Sequence, residues 1–215
     1  MRNTTRKLRR GLLLVLVITM LAPALSGFAV TKKQKALNAY DKWLSKKSVN
    51  LIKKGTEYFN KKSMNWEEYK GSKTSDLKFS LIYLDSDNIP ELVVYDSSYC
   101  FNVLTYKNGK VKKVFADEDN WAIPEKYYKK KNIFIGVGHA GIKMNKYYYK
   151  SKGKYFLKFQ DDIQGKYEYY ATSKKHNSVT SERIKSFVKK HVNGTKLSKI
   201  KYHKNTKATR KKFLK

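Results

Sequence analysis

The sequence predicts an α+β fold: an N-terminal helix, a central antiparallel β-sheet of about five to seven strands, and a C-terminal helix that closes it. Three observations carry this expectation. Residues 32–47 place Ala36, Leu37, Tyr40, Trp43 and Leu44 at helical spacing among Lys, Asn, Gln and Asp. From Leu77 onward the apolar residues run in short β-branched and aromatic stretches instead. Near the end, Ile184, Phe187, Val188 and His191 return to the i, i+3, i+4, i+7 pattern.

Taken in chain order, residues 48–76 are the least determined. Val49, Leu51 and Ile52 extend the helical pattern, Tyr58, Phe59 and Trp66 offer apolar anchors, and Gly71–Ser75 reads as a loop. LKFSLIYL and ELVVYD are then two strands. In FNVLTYKNGKVKKVF, Asn108-Gly109 separates two strand-like runs, the preferred pair for a type I′ turn because both central residues need positive φ. KNIFIGVG is a further strand, KMNKYYYKSKGKYFLKFQ a hairpin turning near Ser151–Gly153, and GKYEYYA one more strand. Alternating Tyr and Lys imply a sheet with one apolar and one wet face. Thr180 or Ser181 caps the last long helix and Asn193-Gly194 ends it. NTKATRKKFLK forms a short final helix, docked through Phe213 and Leu214.

The first 29 residues read as a secretory signal peptide: Arg2, Arg6, Lys7, Arg9 and Arg10 precede an uncharged apolar run broken by Pro23, and Gly27-Phe28-Ala29 supplies the small residues of a cleavage site. Residues 30–215 then form a single domain, secreted or held at the cell wall. Only an uncleaved leader, long enough to span a bilayer, would tie it to a membrane. Cys100 is the only cysteine, so no intrachain disulfide forms, and it reads as a small buried hydrophobe between Tyr99 and Phe101.

The formal net charge is +31, and +26 without the first 29 residues. A chain of this charge is drawn to polyanions such as teichoic acids, anionic lipid or anionic glycans. Beyond residue 29 the only arginines are Arg183 and Arg210. Without arginine clusters to read base edges, no specific nucleic-acid recognition is expected.

Against this basic background, Asp85, Asp87, Glu91 and Asp96 place four of the 17 acidic residues within one short stretch. An EF-hand is excluded: with Asp85 first, Pro90 falls where glycine is required, and with Tyr83 first, Val94 falls where glutamate is required. A shorter loop, with ligands at positions 1, 3, 5 and 9 and glycine at 6, aligns Tyr83, Asp85, Asp87 and Glu91, with Asn88 at the glycine position. Asn tolerates the left-handed conformation, and the Ile89 carbonyl would be turned toward a cation. The candidate metal ligands are therefore Asp85, Asp87, Ile89 and Glu91. The alternative is an acidic strand–turn–strand without metal.

FSLIYLDSDNIPEL (residues 79–92) resembles the core of a group of uncharacterised secreted and surface proteins of Gram-positive gut bacteria, which reads like F-A-L-x-D-L-D-G-D-G-I-P-E-L, and is similar to the calcium loops of FG-GAP and VCBS-type repeats. Ala39-Tyr40-Asp41-Lys42, Leu104–Val111 and Asn205-Thr206 are compatible with the bacterial group, so the resemblance runs loosely over most of residues 30–215 and is distinctive only at 79–92. It implies Asp85, Asp87 and Glu91 as calcium-loop ligands. Tyr83 and Asn88 depart from the pattern at its first ligand and its glycine.

The remaining motifs are weaker. Gly136-Val137-Gly138-His139-Ala140-Gly141 matches a dinucleotide fingerprint, with Asp161 and Asp162 near the acid position, but a strand-like IKMNKYYYK follows where a helix is required. His139, His176, His191 and His203 show no metal-ligand spacing, and His191 falls on the apolar side of its helix. Asp117-Glu118-Asp119 reads as an acidic loop. Tyr127-Tyr128, Tyr147-Tyr148-Tyr149, Tyr167 and Tyr169-Tyr170 either follow sheet alternation or present rings to sugars. With no G-x-S-x-G or H-E-x-x-H, the expected function is non-enzymatic binding of a polyanion or surface partner, without cofactor. The alternatives are an extracellular hydrolase of unrecognised type and a calcium-stabilised module.

Overall fold

The computed structural model describes residues 30–60, 63, 65–96, 100–117, 122–138, 144–151, 153–161, 167–170 and 175–215. The expected signal peptide, His139, Gly141, Glu118, Asp119 and Asp162 lie outside these residues, as do the side chains of Asp117, His176, Tyr167, Tyr169 and Tyr170. Among the described residues, no helix is long and apolar enough to cross a membrane.

Helix α1 (Lys32–Leu44) stops three residues before the helical pattern does. The reason is β1 (Ser48–Val49), which pairs with β4 (Ser72–Lys73). Between these strands lies a second ribbon, β2 (Glu57–Asn60) against β3 (Asn65–Glu68). Residues 48–76 are thus small β-ribbons rather than a helical continuation, and a 3-10 turn at Thr74–Asp76 takes up the end of the expected loop. Tyr69 anchors the region: its hydroxyl accepts from the Leu51 amide at 2.8 Å and contacts Ser72 Oγ, which donates to the buried Asp96 at 2.6 Å.

Strands β5 (Lys78–Ile82), β6 (Glu91–Tyr95), β7 (Phe101–Lys107) and β8 (Lys110–Asp117) form an antiparallel meander. The β7–β8 turn has Asn108 at φ 54° and Gly109 at φ 76°, the conformation expected from the Asn-Gly pair. Next come β9 (Ala122–Tyr128), β10 (Ile133–Gly138), β11 (Asn145–Ser151), β12 (Lys154–Asp161), β13 (Tyr167–Tyr170) and β14 (Lys175–Ser178). Helix α2 (Ser181–Val192) starts at Thr180, whose side chain accepts from the Arg183 amide, and stops at Asn193 in the left-handed conformation. Short strands β15 (Leu197–Lys199) and β16 (His203–Lys204) precede α3 (Lys207–Leu214).

The α+β class stands, with the strands shared between two sheets instead of gathered into one. The five-stranded sheet has the order β16-β5-β6-β7-β8 and the seven-stranded sheet β14-β13-β12-β11-β10-β9-β15. The segment after α2 adds an edge to each sheet, because β15 pairs with β9 and β16 with β5. The two sheets face each other through Val93, Phe101 and Val103 on one side and Ile123, Phe134 and Tyr148 on the other. The other face of the five-stranded sheet packs Phe79, Leu92, Val94 and Leu104 against Ala36, Leu37, Tyr40 and Leu44 of α1 and Leu214 of α3. Helix α2 lies on the outer face of the seven-stranded sheet, where Phe187 meets Tyr149 and Phe159 edge-on. Alternation along the strands builds these layers: Tyr148 goes inward while Tyr149 goes outward.

Pro124 sits inside β9, a poor place for a residue without an amide hydrogen. It is opposite a register shift at Ile135/Gly136, and its carbonyl accepts from the Tyr202 hydroxyl at 2.6 Å. A Cβ at Gly136 would be crowded, meeting Tyr148 at 3.2 Å and Ala122 at 3.3 Å. Strand β10 pairs antiparallel with β11, so from Asn145 onward the chain is a strand where a nucleotide-binding fold requires a helix. Asp161 instead accepts from both the backbone and the side-chain amide of Asn145.

Candidate functional site

The acidic stretch forms the connection between β5 and β6. Three local bonds shape it. The Asp85 carboxylate accepts from the Asp87 amide at 3.2 Å, and the Asp87 carboxylate from the Ile89 amide at 2.8 Å. These are successive Asx turns, the usual reason for Asp in tight connections. Asn88 takes φ 61°, the left-handed position assigned to it from the sequence. Glu91, at the first position of β6, turns back so that Oε2 accepts from the Leu84 amide at 2.9 Å.

Distant elements then clamp the loop. Tyr40 of α1 donates to the Pro90 carbonyl at 2.8 Å. The Tyr83 and Leu84 carbonyls accept from the Lys130 and Asn132 amides of the β9–β10 turn, at 2.8 and 2.7 Å. Lys130 Nζ reaches Asn88 Oδ1 at 2.6 Å, and Lys150 of β11 pairs with Asp85 at 3.1 Å. The Tyr83 ring lies under Lys33 and Lys129, 5.8 and 5.6 Å from its centre. A phenol in the first ligand position therefore faces cations already supplied by the protein.

The three carboxyl groups titrate differently. Burial raises Glu91 most, and the charges of Asp85 and Asp87 add to it, so that despite the Leu84 hydrogen bond its pKa is pushed up to about 8. Burial alone would raise Asp85 as well. The Asp87 amide and the Lys150 ammonium outweigh it and hold Asp85 below the usual carboxylate range. Asp87 is raised by burial and by repulsion from Asp85, against the bond from the Ile89 amide.

The loop thus brings Asp85, Asp87, Ile89 and Glu91 onto one short turn. Among the described residues, however, no three carboxylate, imidazole or thiol groups stand together in a way that would hold a metal ion. Calcium takes six to eight oxygens. At this turn it would have to displace Lys150 from Asp85 and a proton from Glu91. The expected thermal midpoint therefore moves by less than about 1 °C at roughly 5 mM calcium. A rise of several degrees in the unaltered protein would show a calcium site, and a larger shift in Lys150→Gln than in the parent would identify Lys150 as the competitor.

Two recesses elsewhere are better formed. The first, of about 720 Å³, lies between α2 and the outer face of the seven-stranded sheet, with Ile135, Tyr147, Ile184, Val188 and Val192 in its walls. The second, of about 480 Å³, opens between the end of α1, the β1 region and strands β7 and β8. Its lining includes Trp43, Ser48, Lys46, Lys54, Lys113 and Asn102 and, among the described residues, no carboxylate. None of Asp85, Asp87 and Glu91 lines either recess.

Asn102 is fully buried on β7, on the α1 side of its sheet. Its Nδ2 donates to the Leu51 and Phe101 carbonyls. Two carbonyl partners fix the orientation of the amide, since only the NH2 end can face both. Oδ1 consequently points elsewhere, and it has no hydrogen-bond partner among the described residues. A buried unpaired acceptor costs about 1–3 kcal/mol. Sequence reasoning passed over this residue. The available signal was an amide in the otherwise apolar run FNVL, where asparagine is a poor strand former.

The described histidine side chains, His191 and His203, contribute to packing. His191 Nδ1 lies 2.8 Å from the Phe187 carbonyl, with its ring against Tyr149 and Phe187. His203 stacks on Phe213 at 3.7 Å, and burial with the nearby Lys201 and Lys212 charges lowers its pKa. Cys100 is fully buried. No family model matches the chain, and neither a curated protein nor a solved structure does.

Proposed function

We propose that the chain is a non-enzymatic protein, secreted or associated with the cell wall, that binds a polyanion. It belongs, on this reading, with the surface proteins its acidic loop resembles. The observation that carries the proposal is the charge: +31 over 215 residues, almost all of it lysine. Lysine is a strongly hydrated point charge, suited to diffuse attraction rather than to bidentate reading of one partner. Two of the carboxylates are engaged in ion pairs within the protein, Asp85 with Lys150 and Asp41 with Arg210.

The test is salt. Binding to immobilised teichoic acid or heparin is expected to weaken at least tenfold between about 50 and 500 mM sodium chloride, as screening shortens the reach of each charge. Retention that does not change over this range would overturn the reading. The hydrolase alternative draws on Glu91 and Asp85, whose protonation is driven apart as in acid–base pairs. Glu91 is only 2% exposed and lines neither of the two recesses described above, which favours the binding reading over this one.

A further inference from the structure

We propose that the recess between α2 and the seven-stranded sheet binds one long-chain carboxylate, its alkyl chain against the aliphatic walls and its head group among lysines. The inference goes beyond the polyanion reading and does not rest on it. Helix α2 rests on the sheet through the rings of Phe187 and His191. Phe187 lies 5.3 Å from Tyr149 and 5.0 Å from Phe159 between ring centres, and His191 lies 4.9 Å from Tyr149. The next row of the helix, Ile184, Val188 and Val192 at i, i+4 and i+8, carries shorter side chains and faces the recess. The space left there is about 720 Å³, within the range of about 300–1,000 Å³ usual for small-molecule sites.

The floor is a row across three strands. Ile135 of β10 stands opposite Lys126 of β9 on one side and Tyr147 of β11 on the other, and all three line the recess. Tyr128 and its cross-strand partner Leu197 extend the floor toward β15. Burial pushes the Tyr128 phenol up, so it stays a hydrogen-bond donor. The cations come from both sides: the half-buried Lys126 from the sheet, and Lys185 and Lys189, one turn apart, from α2. Their stems can lie along the aliphatic walls while the ammonium groups stay hydrated. Among the described residues no carboxylate lines the recess, and the nearby Asp161 is bonded to Asn145.

These features select the occupant. A sugar or a peptide backbone would leave polar groups unpaired against Ile184, Val188 and Val192. A second copy of this strongly basic chain would meet like charge. An apolar chain with one anionic head satisfies both the walls and the lysines.

The test is calorimetry on residues 30–215 or the full chain, with each probe below its micellar concentration. Dodecanoate is the ligand probe. Butanoate supplies the head without the chain, and dodecyltrimethylammonium the chain with the opposite charge. Dodecanoate is expected to bind one per chain, at least about tenfold more tightly than either comparator. Leu197→Ser, at a position 43% exposed whose replacement spares the core, is expected to weaken dodecanoate at least about threefold and to leave heparin binding unchanged. Lys126→Gln with Lys189→Gln is expected to remove the preference over dodecyltrimethylammonium. Lys73→Gln with Lys211→Gln, exposed lysines on β4 and α3, is expected to change dodecanoate binding by less than about twofold. Several weak dodecanoate sites, equal affinity for the two twelve-carbon probes, or equal losses from the two lysine pairs would overturn the recess and leave the polyanion reading intact. Failure of heparin to bind at low salt, with dodecanoate still bound, would overturn the polyanion reading alone.

Discussion

Replacing Glu91 by Gln is expected to flatten the pH dependence of stability between pH 5 and pH 9. Glu91 is 2% exposed, and its carboxyl titrates near 8 against an ordinary value of 4.5. Between those two values the native chain binds a proton that the unfolded chain has released. Stability from this group is therefore full below about pH 4.5 and is lost as pH rises through about 8. The displacement corresponds to roughly 3–5 kcal/mol over the whole range. Gln keeps the shape and an oxygen for the Leu84 amide, and it carries no titration. The two proteins should be similar near pH 5, and the variant more stable by a few kcal/mol near pH 9, when urea midpoints are compared. Parallel pH profiles would show that Glu91 is not held in its neutral form.

Phe101→Ala is the second large effect. Phe101 is fully buried where the two sheets meet, with its ring centre 5.6 Å from Phe115, 6.2 Å from Phe134 and 5.8 Å from Tyr148. The last two contacts are edge-to-face, the favoured aromatic arrangement. Truncating a buried phenylalanine costs about 3–5 kcal/mol, because transfer energy is lost and a cavity remains. Domains are commonly stable by about 5–15 kcal/mol in total. The urea midpoint should fall sharply with little change in the slope of the transition. A loss below about 1 kcal/mol would mean that the two sheets do not depend on this ring.

The acidic turn shows how much of a site local sequence can carry. Asp85 and Asp87 specify Asx turns with amides two residues on, and Asn88 specifies a positive φ. Those features depend on neighbours in the chain and were legible. The pairing of Asp85 with Lys150 spans 65 residues and was not. It nevertheless decides whether the carboxylate faces a lysine or is free for a cation. Asn102 is the same case in the recess. Its unpaired oxygen follows from the position of the Leu51 carbonyl, 51 residues away.

The division of the strands has a similar origin. The longer runs such as LKFSLIYL, ELVVYD and KNIFIGVG were recognisable from their β-branched and aromatic residues, but two sheets and one sheet have the same alternation along each strand. What separates them is which inward face meets which, through contacts such as Phe101 with Tyr148.

By itself the sequence determined the α+β class, the first long helix, most of the long strands after Leu77 and the helix before Asn193, the Asn-Gly and Asp-Asn turns, and the strongly basic composition. All of these rest on backbone preference and composition, which act within a few residues or over the whole chain without regard to shape. Only the tertiary structure decided that the strands form two facing sheets, that Glu91 is buried and neutral near pH 7, and that three lysines from distant parts of the chain line one recess. Burial, dielectric and charge pairing depend on what folds against a residue from far along the chain, and no local pattern encodes that distance.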